Sequence, residues 1–149
     1  MNAAEIIDDP LIRAIVLEFH RKFANRGGIA WVVDSSGKLV FASSSPVAQR
    51  VAASVPPIEL PNVGVEDIES RRLILIDAVN VRGVIDHDRR MALARQPSFG
   101  AIELVFVSAF RSRSELALMS KPPWGTSAWF ANEPDHSIEF NGGRMKSPH

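Results

Sequence analysis

Two short stretches carry the side chains best suited to chemistry. The first, IDHD at 85–88, places the imidazole of His87 between two carboxylates, Asp86 and Asp88. These groups could supply metal ligands or an acid–base pair. A metal site needs about three converging ligands, and adjacent residues diverge, so partners from elsewhere in the fold would be required. The alternative is structural, because either aspartate can cap a helix that is predicted over 86–96.

The second stretch is LILIDAVN, an apolar strand that ends in Asp77 and is soon followed by Asn80. It resembles the first strand of PIN and NYN nucleases, whose aspartate helps to bind a divalent cation that activates water for phosphodiester cleavage. The resemblance implies that Asp77 is a metal ligand and that Asn80 orients it. Two features depart from that pattern: 72 residues precede Leu73, and the later strand ELVFVSAF has Ser108 where an acidic partner is expected. An aspartate at a strand bend or sheet edge is the structural alternative.

Composition restricts the class of protein. A length of 149 residues favours one domain spanning 1–149, and the absence of cysteine excludes disulfides and thiolate chemistry and fits a reducing compartment. No apolar run approaches the roughly 18 residues of a membrane span, so we expect a cytoplasmic protein. The 17 basic and 17 acidic residues balance, which makes nucleic acid an unlikely partner, because phosphate contacts need a surplus of Lys and Arg.

The chain opens with a strong helix signal. Asp9 can accept the free N–H groups of a first helical turn, and Pro10 fits the first helical position. Apolar residues then recur every four positions, at Leu11, Ile15, Phe19 and Phe23. This spacing predicts an amphipathic helix over 10–26. Its apolar stripe either packs on the protein's own sheet or pairs with its copy in a homodimer.

The remaining pattern predicts a sheet with helical connections. Predicted strands cover 29–34, 38–43, 71–83, 101–110, 126–132 and 137–141, predicted helices cover 45–55 and 86–96, and PPIELPNVG is predicted to be a loop. The apolar run within 71–83 predicts a strand that is buried on both faces. We therefore expect an α+β fold: an antiparallel sheet of about five strands within 29–141, helices mainly on one side, and a disordered tail at 142–149.

The first hairpin carries a family resemblance. Its strands and turn read WVVD, SSG and KLVFA, which is similar to the opening of PAS sensor domains and related profilin-like sheets. In outline the likeness extends over 10–131. FASSS stands where many PAS domains have an asparagine, and the helix predicted at 86–96 replaces a plain hairpin. The resemblance implies a sensory or dimerisation module with a pocket between sheet and helices.

A pocket of this kind would be lined by aromatic residues. The candidates are Trp31, Phe41, Phe106 and Trp129, with Phe130 beside them, although aromatic residues in strands more often belong to a core. The leading interpretation is a non-enzymatic PAS-like domain that binds a small ligand or a protein partner, with no metal and no identified cofactor. The alternative is a metal-dependent hydrolase or nuclease that uses Asp77, Asn80 and the cluster formed by Asp86, His87 and Asp88.

Overall fold

The computed structural model describes residues 7–23, 28–100, 102–119 and 121–140. Seven strands form one sheet: β1 Gly28–Val33, β2 Leu39–Ala42, β3 Val63–Asp67, β4 Arg72–Ala78, β5 Glu103–Phe110, β6 Thr126–Phe130 and β7 Ser137–Phe140. Their order across the sheet is β2-β1-β3-β4-β5-β6-β7. The predicted tail at 142–149 lies outside the described residues.

The N-terminal helix, α1, begins where the sequence predicts. It runs through Pro10–Ala14, a π-helical segment Ile15–Phe19, and His20–Phe23, and its predicted last turn at 24–26 lies outside the described residues. The Asp9 carboxylate accepts the backbone N–H groups of Leu11 and Ile12, at 2.9 and 3.0 Å. The apolar side of α1 packs on the protein's own sheet, through Leu11, Ile12, Ile15, Val16 and Phe19. The apolar stripe was predicted either to pack on the protein's own sheet or to pair with a second copy, and in this structure it packs on the sheet.

The hairpin of β1 and β2 is confirmed, and its turn depends on one carboxylate. Asp34 accepts the backbone N–H groups of Ser36 and Lys38, each at 3.0 Å. Helix α2, Pro46–Ser54, follows and is capped by the hydroxyl of Ser45, which accepts the N–H of Ala48 at 3.1 Å. These local hydrogen bonds account for the turn of the hairpin and for the start of α2, and they occur in many folds.

β3 was missed, because the prolines before it led to the prediction of a loop. The chain makes a short 3₁₀ turn at Pro57–Glu59 and then enters the sheet between β1 and β4. Gly64 is required there: a Cβ at this position would lie 2.5 Å from ring atoms of Trp31 on β1. Gly64 thus allows β3 to lie close to the ring of Trp31, a contact between strands distant in sequence that local propensity does not reveal.

The second half of the sheet corrects the predicted antiparallel topology. β4 pairs with β5, and β5 with β6, in parallel, whereas the other neighbours are antiparallel. Parallel neighbours need a crossover connection. Between β4 and β5 it contains α3, Val79–Arg82, and α4, His87–Ala94; between β5 and β6 it contains α5, Arg113–Leu118. The fold is α+β as expected, but the sheet is mixed and has seven strands.

Helices cover both faces of the sheet, which corrects the expectation that they lie mainly on one side. One core joins α1 to Val32, Val63, Ile74 and other inward side chains, and the second joins α2 and α4 to Trp31, Leu73 and Leu75. β4 contributes alternately to the two cores, so it is buried on both faces as its apolar run predicts. No helix within the described ranges is both long and apolar enough to span a membrane.

Candidate functional site

Asp77 lies at the carboxyl end of β4, near the centre of the sheet. Its side chain is fully buried, and in the parallel register it lies beside Ser108 of β5. Because β4, β5 and β6 run in the same direction, their carboxyl ends meet on one side of the sheet, where ligands of open α/β sheets usually bind. We name the polar group at this position the Asp77 end: Asn62, Asp77, Arg82, Arg89 and Ser108.

Arg89 of α4 holds the Asp77 carboxylate with two hydrogen bonds. Its Nε donates to Oδ2 at 2.5 Å, and its Nη2 donates to Oδ1 at 3.2 Å. The Asp77 side chain is 0% exposed, whereas that of Arg89 is 23% exposed. A buried carboxylate requires such a partner, and a bidentate guanidinium satisfies both of its oxygens. The pair therefore closes the inner side of the site and leaves part of the Arg89 side chain exposed.

Asn62 completes the inner side of the Asp77 end. Its Nδ2 donates to the carbonyl of Val33 at 3.1 Å, its Oδ1 accepts the N–H of Ala78 at 3.0 Å, and its backbone N–H donates to Asp77 at 3.3 Å. This fully buried amide ties the end of β1 to the end of β4. Sequence reasoning missed Asn62 because it lay in the predicted loop. The available signal was one amide inside the otherwise apolar run LPNVGV.

Arg82 adds a second positive charge beside the pair. Its Nη1 donates to the carbonyl of Ile58 at 2.5 Å, which attaches α3 to the 3₁₀ turn before β3. Burial lowers the pKa of Arg82, the negative charge of Asp77 raises it, and the positive charge of Arg89 lowers it. Arginine nevertheless stays protonated at neutral pH. Two guanidinium groups therefore act on one carboxylate, so these three side chains carry an excess positive charge.

Ser108 lies on β5 where an acidic partner of Asp77 was expected, and its hydroxyl has a structural role. Its hydroxyl accepts the backbone N–H of Ile85 at 3.0 Å, in the loop that leads to α4. The side chain is fully buried, and its oxygen is used to position the crossover. Ser108 therefore holds in place the loop that leads to α4, the helix that carries Arg89.

The other acidic candidates have separate roles. Asp86 is the N-cap of α4 and accepts the N–H of Arg89 at 2.8 Å, and His87 and Asp88 are exposed in the first turn of that helix. Asn80 donates to Asp9 at 2.8 Å. The helix cap, which was the structural alternative for IDHD, is thus present. In this part of the chain it is Arg89 that contacts Asp77.

The aromatic candidates are divided between the two faces of the sheet. Trp31 and Phe106 belong to the core beside α2 and α4, whereas Trp129 lies in the core under α1 and Phe41 packs against that core. Trp31 stacks on Phe99 with ring centroids 5.9 Å apart. The structure does not bring the four predicted residues together around one pocket.

Similarity to known proteins identifies the family of this chain. Residues 7–143 match the family described as the BsuBI/PstI restriction endonuclease domain. The chain belongs to this family. It is 30% identical over 140 residues to the type II restriction enzyme BsuBI of Bacillus subtilis, an alignment that covers 93% of this chain and 44% of BsuBI.

Two further relatives of the restriction endonuclease family agree. The type II restriction enzyme AplI of Arthrospira platensis is 36% identical over 83 residues, or 55% of this chain and 26% of AplI. The structure of SdaI restriction endonuclease superposes with a TM-score of 0.77 at 28% identity, covering 94% of this chain and 44% of that chain. The chain thus spans less than half the length of the relatives it matches.

Membership of the restriction endonuclease family overturns the leading interpretation. The PAS-like, profilin-like sensor and its signalling role are wrong, and the alternative of a nuclease agrees better with the relatives. The expectation that nucleic acid is an unlikely partner is contradicted too, because the relatives are restriction endonucleases. The hairpin led to the wrong family because its turn is formed by hydrogen bonds to Asp34 that are local and do not depend on the rest of the fold.

A divalent cation is the group that a nuclease family implies, since metal-activated water is a common means of phosphodiester cleavage. Hard cations take oxygen ligands, with carboxylates foremost. Within the described residues, no group of three or more His, Asp or Glu side chains is arranged to hold a metal ion. Both oxygens of Asp77 are bonded to Arg89, and Oδ1 of Asn62 is bonded to Ala78. The donor set at the Asp77 end does not fit a divalent cation.

Proposed function

We propose that this chain is a restriction-endonuclease-type domain that binds duplex DNA, with the phosphodiester backbone lying against the Asp77 end. The observation that carries the proposal is the pair of guanidinium groups, Arg82 and Arg89, that act on the buried carboxylate of Asp77 at the carboxyl end of the sheet; exposed carboxylates, Glu59, Asp86 and Asp88, lie outside this pair. Family membership supplies the class of ligand. The complete relatives are more than twice as long as the matched region, so the proposal concerns binding by this domain.

The position of the charge suits a DNA backbone. A chain of balanced overall charge can bind DNA if its arginines are concentrated where phosphates lie, because the attraction is local at physiological salt. Arg89 is partly exposed at the carboxyl end of the sheet, and a guanidinium can bind phosphate through two N–H groups. The Asp77 end therefore presents a fixed donor to an anion.

Arg82→Gln tests this proposal. Glutamine removes the charge, but it is shorter than arginine and also loses the hydrogen bonds to the carbonyls of Ile58 and Pro57, so circular dichroism and a melting curve must first show that the variant is folded. We expect the variant to bind a 30-base-pair duplex roughly fivefold to tenfold more weakly at 0.1 M salt, and the slope of log K against log salt to fall by about one. Fluorescence anisotropy with a labelled duplex, over a series of salt concentrations, measures both quantities.

The matched control is Arg71→Asn. Arg71 is exposed just before β4, roughly 20 Å along the strand from Asp77, and its φ of 56° is one that asparagine tolerates. The same charge is lost, but the DNA affinity should stay near that of the parent protein. Equal losses in both variants would contradict a backbone site at the Asp77 end, and the absence of salt-dependent binding by the parent chain would refute DNA binding itself.

A further inference from the structure

We infer that the Asp77 end binds the DNA backbone without a divalent cation and leaves the phosphodiester bond intact, with Arg89 in the position on Asp77 that a cation would need. This inference rests on the proposed DNA-binding function. It concerns the reaction, whereas the proposed function concerns the ligand, so the two can fail separately.

The guanidinium of Arg89 is held firmly in this position. It contacts both oxygens of Asp77, and its own backbone N–H is fixed by the Asp86 carboxylate at the start of α4. A cation approaching Asp77 would have to displace a fixed positive group that is already hydrogen-bonded to each oxygen. A second guanidinium, Arg82, would repel that cation further.

The other oxygens of the Asp77 end are also in use. The hydroxyl of Ser108 accepts the N–H of Ile85, and the side-chain oxygen of Asn62 accepts the N–H of Ala78. Both side chains are fully buried. A cation would have to share each of these buried oxygens with a backbone N–H group that already points at it. The polar groups that surround Asp77 therefore complete the fold and are not a set of free ligands.

None of the five side chains that make up the Asp77 end offers hydrolysis a base that is open to water. Water must lose a proton as its oxygen attacks phosphorus, and the acceptor has to lie within hydrogen-bond reach. The Asp77 carboxylate is 0% exposed and occupied by Arg89, so it is closed to such a water. His87 is exposed on the first turn of α4.

Binding of a phosphate remains feasible in this arrangement. The exposed part of Arg89 borders a cavity of about 180 Å³ beside Ile58 and Glu59. Two of the five N–H groups of its guanidinium donate to Asp77. The remaining N–H groups are the donors that this inference assigns to a phosphate oxygen, and the carboxylate of Glu59 lines the same cavity.

Three measurements on the full chain test the inference. We expect the melting temperature to be unchanged by 5 mM MgCl₂ or MnCl₂ relative to EDTA, duplex affinity to be equal in Mg²⁺ and EDTA at constant ionic strength, and supercoiled plasmid to stay uncut. Cleavage that requires Mg²⁺ or Mn²⁺, or a cation-induced rise in melting temperature, would overturn it. Failure to bind DNA in any buffer would refute the proposed function, while the melting experiment would still test the cation site.

The double variant Asp77→Asn/Arg89→Gln removes the guanidinium of Arg89 without changing the net charge of the protein, because one negative and one positive charge are lost together. Two amides can hydrogen-bond in place of the ion pair. If Arg89 binds the backbone, DNA affinity should fall at least threefold, and equally in Mg²⁺ and EDTA. A loss seen in Mg²⁺ alone would show that the intact pair supports a metal site, and the inference would fail.

Discussion

β3, β4 and the crossover after β4 carry two aspartate–arginine pairs, one near each end of β4, and only one of them is joined to a candidate site. At the start of β4, Arg72 donates to Asp67 at 2.8 Å, with side chains 33% and 7% exposed. At its end, Arg89 donates to Asp77 at 2.5 Å, with side chains 23% and 0% exposed. Both join a guanidinium to a carboxylate, through one hydrogen bond in the first pair and two in the second.

The pairs differ in the part of the fold that makes them. Asp67 and Arg72 are direct partners in the antiparallel register of β3 and β4, so a hairpin alone brings them together. Asp77 and Arg89 meet because the crossover carries α4 back over the sheet. A third charged group, Arg82, acts only on the second pair. An ion pair by itself thus indicates little about function, whereas its position at the carboxyl ends of parallel strands does.

The largest expected difference between the pairs is in stability. Arg89→Ala leaves the fully buried Asp77 carboxylate without its partner, which should lower the free energy of unfolding by about 3–5 kcal/mol. Urea denaturation followed by circular dichroism at pH 7 measures this change.

The control for Arg89→Ala is again Asp77→Asn/Arg89→Gln. Removing both charges avoids an unpaired buried carboxylate, so the double variant should be more stable than Arg89→Ala, even though it differs from the parent at two positions. If the single variant were as stable as the parent protein, Asp77 would not depend on Arg89.

The hairpin pair should contribute less, and its contribution should depend on pH. The hydrogen bond from Arg72 lowers the pKa of Asp67, so its stabilisation is complete above the unfolded pKa of about 3.9 and is lost as pH falls through the folded value. We expect Asp67→Asn to reduce stability by about 1 kcal/mol at pH 7. The difference should shrink towards zero in acid, as measured by urea denaturation at several pH values. A difference that grew on acidification would contradict this assignment.

Local signals predicted most of the elements. The caps Asp9, Ser45 and Asp86 all start helices, and Asp34 builds the turn of the first hairpin. Each of these residues acts on N–H groups within four positions of itself, so the sequence contains the whole interaction. The same locality explains the PAS-like error, because a hairpin and a preceding helix say nothing about which strands will later be neighbours.

Non-local contacts account for the features that were missed. β3 pairs with β1 and β4, and Gly64 leaves room there for the ring of Trp31; the parallel pairing of β4 with β5 depends on the crossover that contains α4. The predicted helix at 86–96 between two strong strands was the available sign of a parallel pair. Balanced charge was misleading because it averages over the whole chain, whereas Arg82 and Arg89 are concentrated around Asp77 by the fold.

The smallest expected effect concerns Asp88, the acidic residue that precedes Arg89 in the chain. Asp88 is exposed in the first turn of α4, next to Arg89 in the chain, and should repel the DNA backbone. Asp88→Asn should therefore strengthen duplex binding roughly twofold to fivefold at 0.1 M salt, since a charge several ångströms from a phosphate in water interacts by up to about 1 kcal/mol. Asp67→Asn, made at the other pair, is the matched control and should leave affinity unchanged. Anisotropy titrations compare the two, and an equal gain in both would indicate an effect of net charge with no preference for the Asp77 end.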